Sequence, residues 1–218
     1  MNDVCCASSE EIEYTYRMKG DGIFTDACKP DHEYRTGAAE VFPKSLYWGC
    51  PDCDLILKKM KYHGRAMNQL LHPIGHEGGG IAIHPLSPVH RNQGYRFPID
   101  YFLKRMASVG SLKQTRSISV YSHAPCGAAR HFGLSLPEQI ELTLVGRGLL
   151  EQELTSQGHR FEIVPYFHVY WGEHKQEGPE HDNTYMVSRD AWMLNRHKYA
   201  REIGRLPQEC RLAEFALA

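Results

Sequence analysis

The chain has 218 residues, of which 42% are hydrophobic and 23% charged, a composition typical of a single globular domain with a buried core. The net charge of −1 argues against a nucleic-acid-binding or polybasic membrane-anchored protein, and no apolar run approaches the roughly 18 residues of a membrane helix. Seven cysteines are an odd number in a chain too long for a small disulfide scaffold, and the N-terminus lacks the apolar core of a signal peptide. We therefore expect a cytoplasmic protein with reduced thiols, bound to neither nucleic acid nor membrane.

Strand-like and helix-like segments alternate along the chain after an irregular lead-in over residues 1–40. In chain order, the sequence predicts a strand over 41–48, a helix over 55–71, an exposed loop over 85–98, a helix from Ile99 to Val109, a strand over 117–121, a helix from Ser135 to about Gln157, a strand over 161–171 and a helix over 191–204. The pattern Ser135-Leu136-Pro137-Glu138 is typical of a helix N-terminus. This alternation predicts an α/β fold with a largely parallel sheet flanked by helices.

Two short segments carry side chains that bind metals, and each follows a predicted strand. Cys50-Pro51-Asp52-Cys53 comes after the first strand, and His123-Ala124-Pro125-Cys126 comes after a later one. Because the carboxyl ends of parallel strands meet at one edge of a sheet, both segments are expected to contribute to one site. Any one of these residues alone would more often be a buried side chain without a ligand role. As a set, Cys50, His123 and Cys126 favour a zinc site.

The two segments resemble those of the β-class carbonic anhydrases, whose zinc ligands come from Cys-x-Asp-x-Arg and His-x-x-Cys-Gly motifs. The resemblance covers roughly residues 41–171, and the segment His76-Glu77-Gly78-Gly79-Gly80 stands where the family has Asn-Ala-Gly. It implies a β-carbonic-anhydrase-like zinc domain over 41–171. Residues 1–40 would then be an N-terminal arm, and residues 172–218 a C-terminal extension packing on the same domain.

The same resemblance implies a function and a role for each site residue. Cys50, His123 and Cys126 would bind Zn²⁺, and a zinc-bound hydroxide would attack carbon dioxide to give bicarbonate. Asp52 would orient the hydroxide as the catalytic carboxylate, and a nearby histidine would carry the proton away. Proteins of this family form homodimers or larger homo-oligomers, so the same is expected here.

The sequence departs from the family motif at Asp54, which stands where the family has an arginine. That arginine holds the motif aspartate by a bidentate contact, whereas Asp54 adds a like charge two residues from Asp52. Either another cation such as Arg65 or Arg130 replaces it, or Asp52 moves onto the metal. Cys53 offers a further fourth ligand, which would make a closed, structural site. The alternatives are therefore a non-catalytic relative with structural zinc, or a hydrolase of carbon disulfide or carbonyl sulfide.

Two other features of the sequence are candidates for separate sites. His72 and His76 are four residues apart, but Pro73 and Gly75 between them argue against a shared helical face, so loop or pocket-lining histidines are the favoured interpretation over a second metal site. The glycines at 78–80 lack the flanking residues of a phosphate-binding loop, and a tight turn beside the metal site is expected instead.

Overall fold

The computed structural model describes residues 6–27, 44–51, 70–91, 99–113, 115, 117–172 and 182–212. In chain order the elements are α1 (Ser9–Gly20), β1 (Phe24–Asp26), β2 (Lys44–Gly49), β3 (Leu70–Gly75), a 3-10 helix (Gly79–Ala82), α2 (Pro88–Arg91), α3 (Ile99–Lys113), β4 (Ser117–Ala124), α4 (Gly127–His131), α5 (Leu136–Ser156), β5 (Glu162–Tyr170), β6 (Asp182–Val187), α6 (Arg189–Asn195), a 3-10 helix (Arg196–Tyr199), α7 (Ala200–Ile203) and a 3-10 helix (Gln208–Cys210). Within these ranges, no helix is both long enough and apolar enough to cross a membrane.

The strands form one six-stranded mixed sheet in the order β1-β6-β5-β4-β2-β3. The strands β3, β2, β4 and β5 run parallel to one another. At one side of the sheet, β6 pairs antiparallel with β5, and β1 pairs antiparallel with β6. The predicted α/β class with a largely parallel sheet is therefore confirmed. Because β2 and β4 are adjacent and parallel, their carboxyl ends lie side by side at the same edge of the sheet.

Alternate residues of β2 and β4 face opposite sides of the sheet, as the two-residue period of a strand requires. On one side, apolar strand residues pack against α3 and α5 in a single cluster that includes Leu46, Trp48, Ile118, Val120, Met106, Leu150 and Leu154. On the other side, a smaller cluster contains Tyr47, Tyr121 and Tyr166, with Ala27 packed against them. The carboxyl edge of the sheet is therefore bordered on one side by an aliphatic core and on the other by tyrosines.

The described residues of the N-terminal region do not form the irregular lead-in expected from the sequence. Residues 9–20 form α1, which begins at a capping box in which the Ser8 N–H donates to Glu11 at 2.7 Å and the Glu11 N–H donates to Ser8 Oγ at 3.2 Å. Strand β1 then pairs with β6. The helix was missed because two of the residues on its buried face, Glu11 and Thr15, are polar, and only Met18 is apolar.

Several predicted elements agree with the structure and others differ. Helix α5 begins directly after Ser135, whose N–H and hydroxyl both donate to Glu138 at 2.7 Å, and it ends within one residue of the predicted position. The predicted strand over 161–171 and the helix from Ile99 are also confirmed. The predicted helix over 55–71 lies mainly outside the described residues, and its last two positions belong to β3.

Two predictions in less regular regions were wrong in part. The predicted helix over 191–204 is divided into α6, a 3-10 helix and α7. The predicted exposed loop over 85–98 contains the short helix α2, in which Val89 is fully buried, while residues 92–98 lie outside the described residues. Both differences arise because contacts with the rest of the chain, not hydrophobic period, decide the structure of short segments.

Candidate metal centre

The structure brings Cys50, His123 and Cys126 together in one buried group. Cys50 directly follows β2, His123 is the penultimate residue of β4, and Cys126 is the N-cap of α4. One ligand atom from each residue lies within 4.8 Å of the other two, and the three residues are only 8%, 1% and 1% exposed. Residues 73 positions apart in the chain thus meet because β2 and β4 are neighbours in the sheet.

The donor set and its spacing fit a metal ion. A tetrahedral zinc ion with bonds of about 2.0–2.3 Å holds its ligand atoms about 3.3–3.8 Å apart, a span within the limit that the three side chains observe. Two thiols and an imidazole are soft or borderline donors, which suit first-row metals such as zinc rather than magnesium or calcium. The group could therefore hold a metal ion without a large rearrangement of the backbone.

The glycine turn after β3 supports one side of this centre. The Gly78 N–H donates to Cys50 Sγ at 3.4 Å, and the Trp48 indole donates to the Gly79 carbonyl oxygen at 3.1 Å. Gly79 has a φ of 55°, and a Cβ at this position would lie 2.7 Å from the Cys50 nitrogen and even closer to the Tyr121 carbonyl oxygen. Only glycine permits both this conformation and this approach to the two strands. The turn therefore places a backbone donor against a candidate ligand.

The electrostatics of the two thiols differ. The pKa of Cys50 is lowered to about 3, chiefly by a hydrogen bond from the Cys126 thiol and further by His123 and the Gly78 N–H, against the opposing effect of burial. The pKa of Cys126 is raised by its bond to Cys50 and by burial, although the N–H groups of Ala129 and Ala128 act in the opposite direction. In the metal-free centre the pair therefore shares one negative charge, located on Cys50. A thiolate is the form that binds metals.

The remaining candidate residues of the sequence are placed as follows. Asp52, Cys53, Asp54 and Arg65 lie outside the described residues. Arg130 lies in α4, where it donates to the Cys6 carbonyl oxygen at 2.9 Å and pairs with Glu11 at 3.3 Å. These contacts tie α4, which begins after Cys126, to the N-terminus of α1.

Neither His72 nor His76 belongs to the metal-compatible group, which within the described ranges comprises Cys50, His123 and Cys126. His76 instead lies directly after β3, at the start of the glycine turn. Its backbone N–H donates to the Gly49 carbonyl oxygen at 3.1 Å, and its Nδ1 lies 2.7 Å from the Glu77 carbonyl oxygen. The turn that holds Cys50 is thus itself held against the end of β2.

Two further histidines, His168 and His84, make contacts with residues distant in the chain. His168 lies on β5 directly opposite His123 in the parallel register, is fully buried, and has its Nδ1 2.8 Å from Thr184 Oγ1. His84 lies farther along the chain from the glycine turn, with its Nδ1 3.4 Å from the Cys210 sulfur. The Cys210 contact links the C-terminal 3-10 helix to the segment after the glycine turn.

Tyr47 is a residue beside the centre that sequence reasoning missed. Its ring is fully buried and folds along β2 over Gly49, so that a Cβ on Gly49 would overlap its hydroxyl. It packs against Tyr121 in a tilted arrangement with ring centroids 4.8 Å apart, and Tyr121 stacks against Tyr166 at 5.0 Å. Burial and the nearby charge of Cys50 raise the pKa of Tyr47, so its hydroxyl stays protonated. The feature of the sequence that could have indicated Tyr47 is its position two residues before Gly49, since a glycine on the same face of the strand leaves room for the ring.

No protein-family model matches the chain, and a search of curated proteins gives no significant match. The sheet and the buried group of two cysteines and a histidine are therefore the observations from which function is argued below.

Proposed function

We propose that this protein is a zinc-dependent carbonic anhydrase, which interconverts carbon dioxide and bicarbonate with Zn²⁺ bound by Cys50, His123 and Cys126. The observation that carries the proposal is the burial of these three donors in one group at the carboxyl edge of adjacent parallel strands. The edge position agrees with where ligands bind in open α/β sheets. The motif resemblance to β-class carbonic anhydrases and the mostly parallel sheet are compatible with this assignment.

Within the described residues, which do not include Asp52 and Cys53, the group has three donors, and this number favours a catalytic metal. Catalytic zinc sites use three protein ligands and leave a fourth position for water or substrate, whereas structural sites use four. Zinc bound there would lower the pKa of a bound water to about 7 and so supply a hydroxide nucleophile at neutral pH. Asp52, two residues after Cys50, would accept a hydrogen bond from this nucleophile and orient it, a role that rests on the resemblance alone.

The residues around the group suit a small apolar substrate. Cys126 lies in an apolar cluster with Ile81, Ala129 and Leu142, which keeps bulk water away from the thiols. The N–H groups of Gly78, Ala128 and Ala129 face the two sulfurs and stabilise negative charge there. Carbon dioxide carries no net charge and needs no ion pair for binding, so an apolar surrounding is suitable for it.

A second candidate function is a closed zinc site that only stabilises the fold. It is favoured by the near-complete burial of the three donors, since structural zinc sites exclude water. Cys53 or Asp52 would then supply the fourth ligand. In this case the protein would bind zinc tightly and would have no hydratase activity.

The test combines metal analysis with a hydration assay. We expect about one zinc per chain and accelerated carbon dioxide hydration measured by stopped-flow with a pH indicator, since the described residues contain one group of three donors. His123→Ala should lose both zinc and activity, whereas Cys6→Ala, outside the group, should keep both. Cys53→Ala should retain zinc if the site is open and lose it if Cys53 is a ligand. Zinc-loaded protein without any activity would refute the enzymatic proposal. Activity on carbonyl sulfide but not on carbon dioxide would identify carbonyl sulfide as the substrate.

The resemblance further supports a homodimer or larger homo-oligomer, which light scattering of the purified protein would measure.

A further inference from the structure

A buried hydroxyl beside the candidate metal centre has no hydrogen-bond partner among the residues that the structure describes. Tyr47 is 0% exposed, and its hydroxyl oxygen finds no donor or acceptor within the part of the chain that the structure describes. A buried polar group without a partner costs about 1–3 kcal/mol, so such groups in folded proteins are normally satisfied by protein, water or ligand. Because no atom of the described residues satisfies this hydroxyl, we consider an acceptor outside the protein.

The direction of the side chain indicates where that acceptor lies. The ring of Tyr47 extends along β2 toward its carboxyl end and covers Gly49, the residue directly before Cys50. On the adjacent strand, Tyr121 packs against this ring, and His123 follows two residues later on the same face of β4. The hydroxyl is thus directed to the edge of the sheet at which Cys50 and His123 meet.

We infer that the Tyr47 hydroxyl donates a hydrogen bond to the non-protein ligand of the metal, a water molecule or small anion with an acceptor atom. This inference rests on the proposed function, because it requires a metal with an open fourth position. Tyr47 would thereby hold this ligand in place at the centre. Packing against Tyr121 fixes the Tyr47 ring, so the hydroxyl is held in place before a ligand binds.

The cluster of three tyrosines also provides a matched control. Tyr166 is the third ring, equally aromatic and 2% exposed, but it lies on β5, two strands away from β2. Two inter-strand spacings are about 10 Å, so its hydroxyl is too far from Cys50 to reach the same ligand. Removing either hydroxyl changes the packing little, because phenylalanine keeps the ring.

The experiment uses the full-length protein with Co²⁺ in place of zinc and azide as the probe anion. Azide binding is followed by the visible absorption of the cobalt ion, which reports on its coordination. We expect Tyr47→Phe to raise the Kd of azide by about three- to tenfold, the effect of one neutral hydrogen bond, and Tyr166→Phe to change it by less than about twofold. Circular dichroism and metal content verify that each variant is folded and loaded.

A second variant covers the case in which Tyr47→Phe does not fold. Gly49→Ala keeps the hydroxyl, but its Cβ would displace the Tyr47 ring from its position, so the same rise in Kd is expected. An unchanged azide Kd in a folded, cobalt-loaded Tyr47→Phe or Gly49→Ala protein would overturn the inference and leave the proposed function standing. If azide leaves the cobalt spectrum of the unmodified protein unchanged, the fourth position is closed, and both the inference and the open-site proposal are wrong.

Discussion

Substitution of Gly79 by alanine tests how strongly the fold of the metal centre depends on the glycine turn. The added Cβ would lie 2.7 Å from the Cys50 nitrogen, about 0.8 Å shorter than a favourable contact of ~3.5 Å, and it would overlap the Tyr121 carbonyl oxygen. Both neighbours are backbone atoms, one within β4 and one directly after β2, so neither can rotate away as a side chain would. The φ of 55° adds the strain of the left-handed region for a residue with a Cβ.

These two effects set the expected magnitude. The left-handed conformation costs roughly 1–2 kcal/mol, and overpacking against fixed atoms costs typically about 1–3 kcal/mol. We therefore expect Gly79→Ala to lower the free energy of unfolding by about 2–5 kcal/mol, a large part of the roughly 5–15 kcal/mol of an ordinary domain. Because Cys50 and the Gly78 N–H lie on either side of the clash, zinc content should fall as well.

The assay is urea unfolding of the metal-free protein, followed by circular dichroism, with zinc stoichiometry measured in parallel. Gly148→Ala is the control, since a Cβ there meets no atom within 4 Å and the residue lies inside helix α5. It should stabilise the protein by about 0.5–1 kcal/mol. A Gly79→Ala protein that unfolds at the urea concentration of the unmodified protein and binds zinc normally would refute the proposed packing of the turn.

Two further predictions concern buried charge. Glu141→Gln should destabilise the protein by about 3–5 kcal/mol in urea unfolding, because the buried carboxylate accepts hydrogen bonds from Trp192, Arg196 and the Leu212 N–H. The control is Glu151→Gln, which removes an exposed ion pair on the same helix and should change stability by less than about 1 kcal/mol. Since the pKa of Cys50 is lowered to about 3, its thiolate should persist as the pH falls from 9 and disappear only near that value. The ultraviolet difference spectrum of metal-free protein against Cys50→Ser measures this titration, and thiolate loss near pH 8 would contradict it.

The metal centre illustrates which parts of a site a sequence reveals. Cys50, His123 and Cys126 could be proposed together because each is a metal-binding residue type located at the end of a strand-like run. Tyr47 carried no such signal, since tyrosine in a strand is ordinary and its role depends on the direction of the ring over Gly49. The glycines at 78–80 indicated a turn, but their contact with Cys50 depends on how β3 lies beside β2.

The same distinction applies to the fold. Local sequence determined α5, because its capping residues and apolar period lie within one continuous segment. It also determined β5, whose β-branched and aromatic residues form a single run. The sequence did not indicate α1, because its buried face carries two polar residues. Glu11 pairs with the distant Arg130, and the Thr15 hydroxyl donates to the Glu11 carbonyl oxygen.

The sequence by itself therefore determined elements such as α5 and β5 and the chemical nature of the candidate metal ligands, since propensity, capping and donor type are properties of short segments. Only the tertiary structure decided that β2 and β4 are neighbours, and this adjacency joins Cys50 to His123 and Cys126. It also decided which donors face the sulfurs and that the Tyr47 hydroxyl has no partner among the described residues. These features depend on contacts between residues far apart in the chain, which no local pattern encodes.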